Sequence, residues 1–301
     1  MRVGVTTQLA EVIAVKTLCR FCIVLSVVAL TNRANPQPQA DPTENRSGIP
    51  FKLYGSYLIV IEGRIGDLGK LRFVVDTGVT HSVIDRKLAG RMGVARRSGK
   101  VLNFDKTVPA EWAEVPEVQF GPIDVAHFSM MVGDLRYFES FATKVDAVIG
   151  LDLLRLSSFS IDYDVRKIFF GPIDTTGGVP MSSDPICLSV QLLVGDSKLQ
   201  LFVDSGAQAL VLYEDRILDR VPQLRIEGEL DGVSMGGFVH AKKAVLPRAR
   251  LGTTDLNGTV FLVKAPSGNV LSRIDGYLGT AALKAHRIDF NFEAKTLAWK
   301  R

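Results

Sequence analysis

The sequence predicts an all-β chain made of two homologous halves. Three observations predict it. The apolar runs are short, rich in β-branched and aromatic residues, and separated by turn signals. Long helical patterns alternating with strands are absent, which argues against βαβ folds. The chain also repeats itself. FVVDTGVTHSVIDRKLAGRMG, from Phe73, matches LFVDSGAQALVLYEDRILDRV, from Leu201. DAVIGLDLLRLSSFSIDYDVRKIFF, from Asp146, matches DGYLGTAALKAHRIDFNFEAKTLAWK, from Asp275. The spacing is nearly constant: 128 residues from Asp76 to Asp204 and 129 from Gly150 to Gly279. A repeat of this kind marks a duplicated structural unit.

Taken in order, residues 12–30 are apolar apart from Lys16, Thr17, Arg20 and Ser26. The apolar core 21–30 is short for a spanning helix and suits the hydrophobic region of a signal segment preceded by basic residues. Residues 31–48, rich in Asn, Pro, Gln and Asp, read as a cleavage region or tether. Residues 1–48 are therefore expected to direct export, by cleavage or as a retained anchor. The remainder would be periplasmic, extracytoplasmic or membrane-tethered.

Strands are expected at 54–62 and 71–76, with Gly66-Asp67-Leu68-Gly69 turning between them. Residues 85–92 read as one short helix capped by Asp85 and stopped at Gly93. Further strand-like runs lie at 115–120, 126–132, 147–149, 159–163 and 167–170. Residues 173–182, with Gly177, Gly178 and Pro180, form the expected linker. The halves are then 49–172 and 183–301.

Bulk properties narrow the function. The net charge is +4, and beyond residue 50 the chain holds 31 basic and 29 acidic residues. That near balance gives no reason to expect a nucleic-acid partner. Cys19 and Cys22 lie in the leader and Cys187 alone in the body, so no disulfide framework supports the fold. His81, His127, His240 and His286 show no metal-ligand spacing. Neither metal nor cofactor is expected.

In each half an apolar strand ends in Asp, then a small hydroxyl residue, then Gly. A carboxylate at that position is partly buried, which is costly unless it is hydrogen-bonded or shares a proton. Two such halves brought together would place Asp76 beside Asp204. Like charges that close cannot both ionise readily, so the pair holds one proton. The ionised member can accept a proton from water. The protonated member can hydrogen-bond a scissile carbonyl oxygen. Thr77 and Ser205 can lock the two loops together, and Gly78 and Gly206 permit close approach to the carboxylates.

These residues resemble the retropepsin-like and pepsin-like aspartic peptidases. Asp76-Thr77-Gly78 and Asp204-Ser205-Gly206 match the family's Asp-Thr/Ser-Gly motif. Val148-Ile149-Gly150 and Tyr277-Leu278-Gly279 match the apolar-apolar-Gly strand behind each catalytic loop. The resemblance implies two closed β-barrel lobes of the acid-protease type about a pseudo-two-fold axis. It also implies an extended peptide or protein substrate in the cleft, under hairpin flaps. The second flap is expected at 231–238, with Gly232, Gly236 and Gly237. The first, at 98–108, is basic and lacks that run of glycines. No flap tyrosine of the pepsin kind stands out. Val79 and Ala207 replace the Ser/Thr usual in pepsins, which places the chain on the retropepsin side and predicts a less extreme acid optimum.

The expected function is an aspartic endopeptidase with both half-sites in one chain, a monomer whose active site needs no dimer. The alternative is a non-catalytic relative serving peptide binding or assembly. Asp162, Asp164 and Asp289 are expected at loops or the surface, His81 as a loop residue, the basic run 96–100 as a solvated loop, and Trp112 and Trp299 as packing residues.

Overall fold

Each turn signal of the first half becomes a hairpin in the computed structural model, which describes residues 47–103, 106–183, 187–234, 237–265 and 272–301. Of the expected export segment and tether, residues 1–48, all but Ser47 and Gly48 lie outside the described residues. The chain is mostly β-sheet. β1 (Ile49–Tyr54), β2 (Leu58–Ile65) and β3 (Leu68–Val75) form an antiparallel meander. Gly66 adopts φ +54° at the second turn, a conformation that glycine enters without a Cβ clash. After β4 (Val83–Asp85), the Asp85 carboxylate caps α1 (Arg86–Met92) by accepting the N–H groups of Lys87 and Leu88. Gly93, at φ 63°, ends that helix.

Two long strands follow, β5 (Arg96–Asn103) and β6 (Lys106–Phe120), then β7 (Ile123–Gly133). The half ends with β8 (Ala147–Ile149), α2 (Leu151–Leu154), β9 (Phe159–Asp162) and β10 (Lys167–Phe170). Pairings run β2-β3-β8-β4-β7-β6, and β6 pairs again with β2 through Ile65 and Val118.

The second half contains β11 (Val179–Pro180), β12 (Ser182–Ser183), β13 (Leu188–Val194), β14 (Ser197–Asp204) and β15 (Leu210–Tyr213). α3 (Glu214–Ile217), β16 (Arg225–Ser234), β17 (Gly237–Leu246), β18 (Ala249–Leu251) and β19 (Thr254–Asp255) follow. β20 (Gly258–Val263), β21 (Gly276–Gly279), β22 (Arg287–Asn291) and β23 (Thr296–Lys300) complete it. The order is β16-β17-β20-β15-β21-β14-β13-β18-β19.

The repeat spacing predicts the register. In the first half Val74 pairs with Val148 and Val75 with Ile149, in parallel. In the second half Phe202 pairs with Tyr277 and Val203 with Leu278, also in parallel. Buried Asp146 and Asp275 reinforce these parallel pairs. Each carboxylate accepts a main-chain N–H from the neighbouring strand, of Arg72 at 3.0 Å and of Gln200 at 2.8 Å.

One hydrophobic core runs through both halves. They meet where β9 pairs antiparallel with β22, and Phe159 stacks on Phe290 with centroids 4.7 Å apart. Fully burying one such ring contributes about 1.5–3 kcal/mol.

One expectation needs correction. Asp289 is not at the surface: it is 3% exposed and its carboxylate takes the Arg287 Nε at 2.7 Å, while Arg287 also donates to Ser160 Oγ. A charge buried in the seam between halves is tolerable because it is paired. The expected linker 173–182 carries strand pairings of its own. Val179 and Pro180 pair with Leu297 and Thr296, and Ser182 pairs with Ser189, so its later part is sewn to sheet edges.

Candidate active site

β3 and β14 are apolar strands whose C-terminal ends converge. Asp76, just past β3, is 6% exposed, and Thr77 and Ser205 are fully buried. Thr77 N–H donates to Ser205 Oγ at 2.9 Å, and Ser205 N–H donates to Thr77 Oγ1 at 3.0 Å. Each hydroxyl then donates across the seam. Thr77 Oγ1 reaches Val203 O at 2.9 Å and Ser205 Oγ reaches Val75 O at 3.0 Å. These four reciprocal bonds fasten the two loops, and every donor and acceptor in them is satisfied.

The glycines explain the spacing of the triplets. A Cβ on Gly78 would lie 2.6 Å from Asp204 Cγ, and one on Gly206 would lie 2.6 Å from Asp76 Oδ2. Each glycine makes room for the other half's carboxyl. Each also donates its N–H to its own triplet's Asp, Gly78 to Asp76 Oδ1 at 2.7 Å and Gly206 to Asp204 Oδ1 at 2.8 Å. The Asp76 and Asp204 carboxyls hydrogen-bond each other.

Burial pushes both carboxyls above the ordinary carboxylate range. For Asp204 the charge of Asp76 and the hydrogen bond between them push the same way, and it rises well above that range. For Asp76 the N–H groups of Gly78 and Gly206 and the bond from Asp204 oppose the rise. The two carboxyls therefore titrate as a pair that holds one proton between them.

The apolar-apolar-Gly elements close the back of each loop. Asp76 N–H donates to Ile149 O at 3.0 Å, and a Cβ on Gly150 would lie 2.6 Å from Val79 O. A Cβ on Gly279 would lie 2.5 Å from Ala207 O. Val79 packs at the edge of an apolar cluster that includes Leu58, Val83 and Val148.

Both expected flaps are hairpins. In the second, Gly232 pairs with Val239 and Gly237 with Ser234, while Gly236 lies outside the described residues. In the first, residues 96–103 of β5 pair with 106–113 of β6. This hairpin does hold one glycine, Gly99, and Trp112 occupies the space where its Cβ would stand, 2.8 Å away. Trp112 meets His81 edge-on at 5.1 Å, and the Arg97 guanidinium lies over its ring at 5.5 Å. Arg97 also donates to Ser129 Oγ. So His81, although exposed on its loop, touches the base of the first flap, and Arg97 is held rather than loosely solvated.

Three tyrosines near the pair carry no signal in the triplet motif. Tyr57 sits in the β1–β2 turn, edge-on to Phe141 at 5.9 Å. Burial, the neighbouring Tyr137 and then the two carboxylates raise its phenol to about 12. Burial lifts the Tyr213 phenol to about 12, with Asp204 adding to it and Arg216 opposing. Tyr277 is raised further by burial, then by Asp204. Among these, Tyr277 was visible as the first residue of Tyr277-Leu278-Gly279. Tyr57 had no such marker.

Among the described residues no group of three or more His, Cys, Asp or Glu side chains is placed to hold a metal ion. The family model described as aspartyl protease matches residues 61–153, which contain the first triplet and Val148-Ile149-Gly150. Over these residues the chain is similar to the aspartyl protease family. Asp204 lies beyond the matched segment. No curated protein matches the chain.

Proposed function

We propose that this chain is an aspartic endopeptidase that hydrolyses peptide bonds with water activated by the Asp76/Asp204 pair. The observation that carries the reading is the mutual hydrogen bond of two buried carboxyls, each seated on the other half's glycine. The ionised member of the pair accepts a proton as water attacks the scissile carbonyl carbon. The protonated member donates its proton to the carbonyl oxygen, giving a neutral tetrahedral diol. As the C–N bond breaks, the first returns its proton to the leaving nitrogen, and a diol hydroxyl returns one to the second. No covalent intermediate forms.

In this reading residues 49–172 and 183–301 are two acid-protease lobes about a pseudo-two-fold axis. The matched parallel registers and the reciprocal Thr77–Ser205 bonds support it. The two hairpins are the flaps, and the cleft takes an extended peptide or protein. The site is complete in one chain and works as a monomer, exported or tethered through residues 1–48.

The test is cleavage of a diverse peptide library by the purified full chain, with Asp76→Asn and Asp204→Asn as controls. Cleavage by the wild type, lost in both variants, is the expected result. Activity that survives both substitutions rejects the site. Peptide binding without cleavage points to the non-catalytic alternative.

A further inference from the structure

The loop after Asp76 is fastened from behind by a carboxylate that the reaction above does not use. Asp152 belongs to α2, two residues beyond Gly150. Its Oδ2 accepts Ser82 N–H at 2.7 Å, and its Oδ1 accepts the Ser82 hydroxyl at 2.6 Å and Leu153 N–H at 2.9 Å. Ser82 is fully buried, and its Oγ also accepts Gly150 N–H at 2.9 Å. Main-chain bonds run alongside, from Leu151 N–H to Val79 O at 2.8 Å and from Asp152 N–H to Thr80 O at 3.1 Å. His81 Nδ1 stands 4.0 Å from Asp152 Oδ2.

The second half holds the equivalent loop differently. The repeat spacing puts Leu210 where the first half has Ser82, and Ala281 where it has Asp152. Neither can make this clasp. There Gly279 N–H donates to Ala209 O at 2.9 Å and the loop is closed by main chain. The side-chain clasp thus belongs to the half that carries Asp76.

We propose that Asp152 is a positioning residue for Asp76, holding the 76–82 loop against Gly150 through both donors of Ser82. The proposal rests on the reading of Asp76 and Asp204 as the catalytic pair. A carboxylate is required because all three of its main partners are donors. An amide of the same shape turns an NH2 toward one of them. That leaves a buried donor unmatched and lets the loop shift. A small displacement of one carboxyl of the pair lowers turnover far more than substrate binding, which depends on flaps and cleft walls.

The experiment measures kcat and KM of the full chain and its variants on a peptide that the wild type cleaves. Asp152→Asn is expected to lower kcat roughly tenfold with KM within about twofold. Ser82→Ala should reproduce that loss, and the double variant should be no worse than either single one, because both act through one clasp. Ser82→Thr, which keeps the hydroxyl, should recover most of the turnover. If Asp152→Asn does not fold, Ser82→Ala carries the test alone. Turnover within twofold of wild type in folded Asp152→Asn or Ser82→Ala overturns the proposal, as does a loss equally strong in KM. A wild-type chain that cleaves no peptide removes the catalytic reading itself, and this proposal with it.

Discussion

Behind Asp76 the loop is pinned by a side chain, the carboxylate of Asp152. Behind Asp204 the matching loop is pinned by main chain, through Gly279 and Ala209. In front, the two loops are nearly interchangeable, with the same hydroxyl exchange and the same glycine under the opposing carboxyl. The surroundings differ again. Asp204 has Tyr213 and Tyr277 within its field, at positions where the first half has Asp85 and Val148. The surfaces that face the partner are thus duplicated, and the surfaces that face away have diverged. That is expected if proton sharing constrains only the former, and it makes the two carboxyls inequivalent although their triplets are alike.

The comparison can be broken most forcefully at the carboxyls. Asp76→Asn and Asp204→Asn are each expected to lower peptide cleavage by about 10²–10⁴-fold or more. A large difference between them in initial-rate assays would mean that one Asp works without the other. The seam comes next. Phe159→Ala and Phe290→Ala should each cost about 3–5 kcal/mol of stability by denaturant unfolding, because each empties half of one stacked pair. The hydroxyl exchange gives a sharper test of equivalence. Thr77→Val and Ser205→Ala each leave a buried N–H and a buried C=O unmatched, at about 2–4 kcal/mol. Values that differ by more than about 1 kcal/mol would show that the grip is not shared evenly.

The pH dependence separates the two carboxyls more finely. Burial raises both in the folded state above their unfolded values. The folded pair therefore binds more protons, and its contribution to stability is complete below the ordinary carboxylate range. It is lost as pH rises through the raised values. Melting of the wild type should fall between mildly acid and neutral pH. Asp204→Asn, which removes one of the two raised carboxyls and their mutual repulsion, should flatten that fall. An unchanged pH profile of melting in that variant would place the proton elsewhere. Cleavage should follow the singly protonated pair, failing at low pH as the pair gains a second proton and at high pH as it loses its last. The smallest expected effect is Tyr57→Phe, which keeps the ring against Phe141 and should change kcat/KM by less than about threefold.

The repeat made much of this legible in the sequence. Its constant spacing paired Asp76 with Asp204 and matched the Gly150 element behind one with the Gly279 element behind the other. Asp85 and Gly93 announced α1 through their caps. Other features stayed hidden because they depend on contacts between segments far apart in sequence. Asp289 looked like a surface charge because its burial comes from the pairing of β9 with β22, which sets it opposite Ser160, while its ion-pair partner Arg287 lies on its own strand. The Ser82–Asp152 clasp spans 70 residues and has no copy in the second half to reveal it. Residues 173–182 read as a tether from their Gly and Pro content, yet backbone pairing needs no particular side chains.

That sewn-down connection bears on how the polypeptide would tolerate being severed. The sheet order β11-β23-β22-β9-β10-β1 sets the last strands of the chain between the connection on one side and the first half on the other. Once folded, the halves are joined by lateral pairing and shared core as well as by the peptide link. A nick in residues 174–178 would therefore leave two fragments migrating as one particle. Separately made fragments could serve as a complementation pair, in which reassembly alone recreates the shared proton.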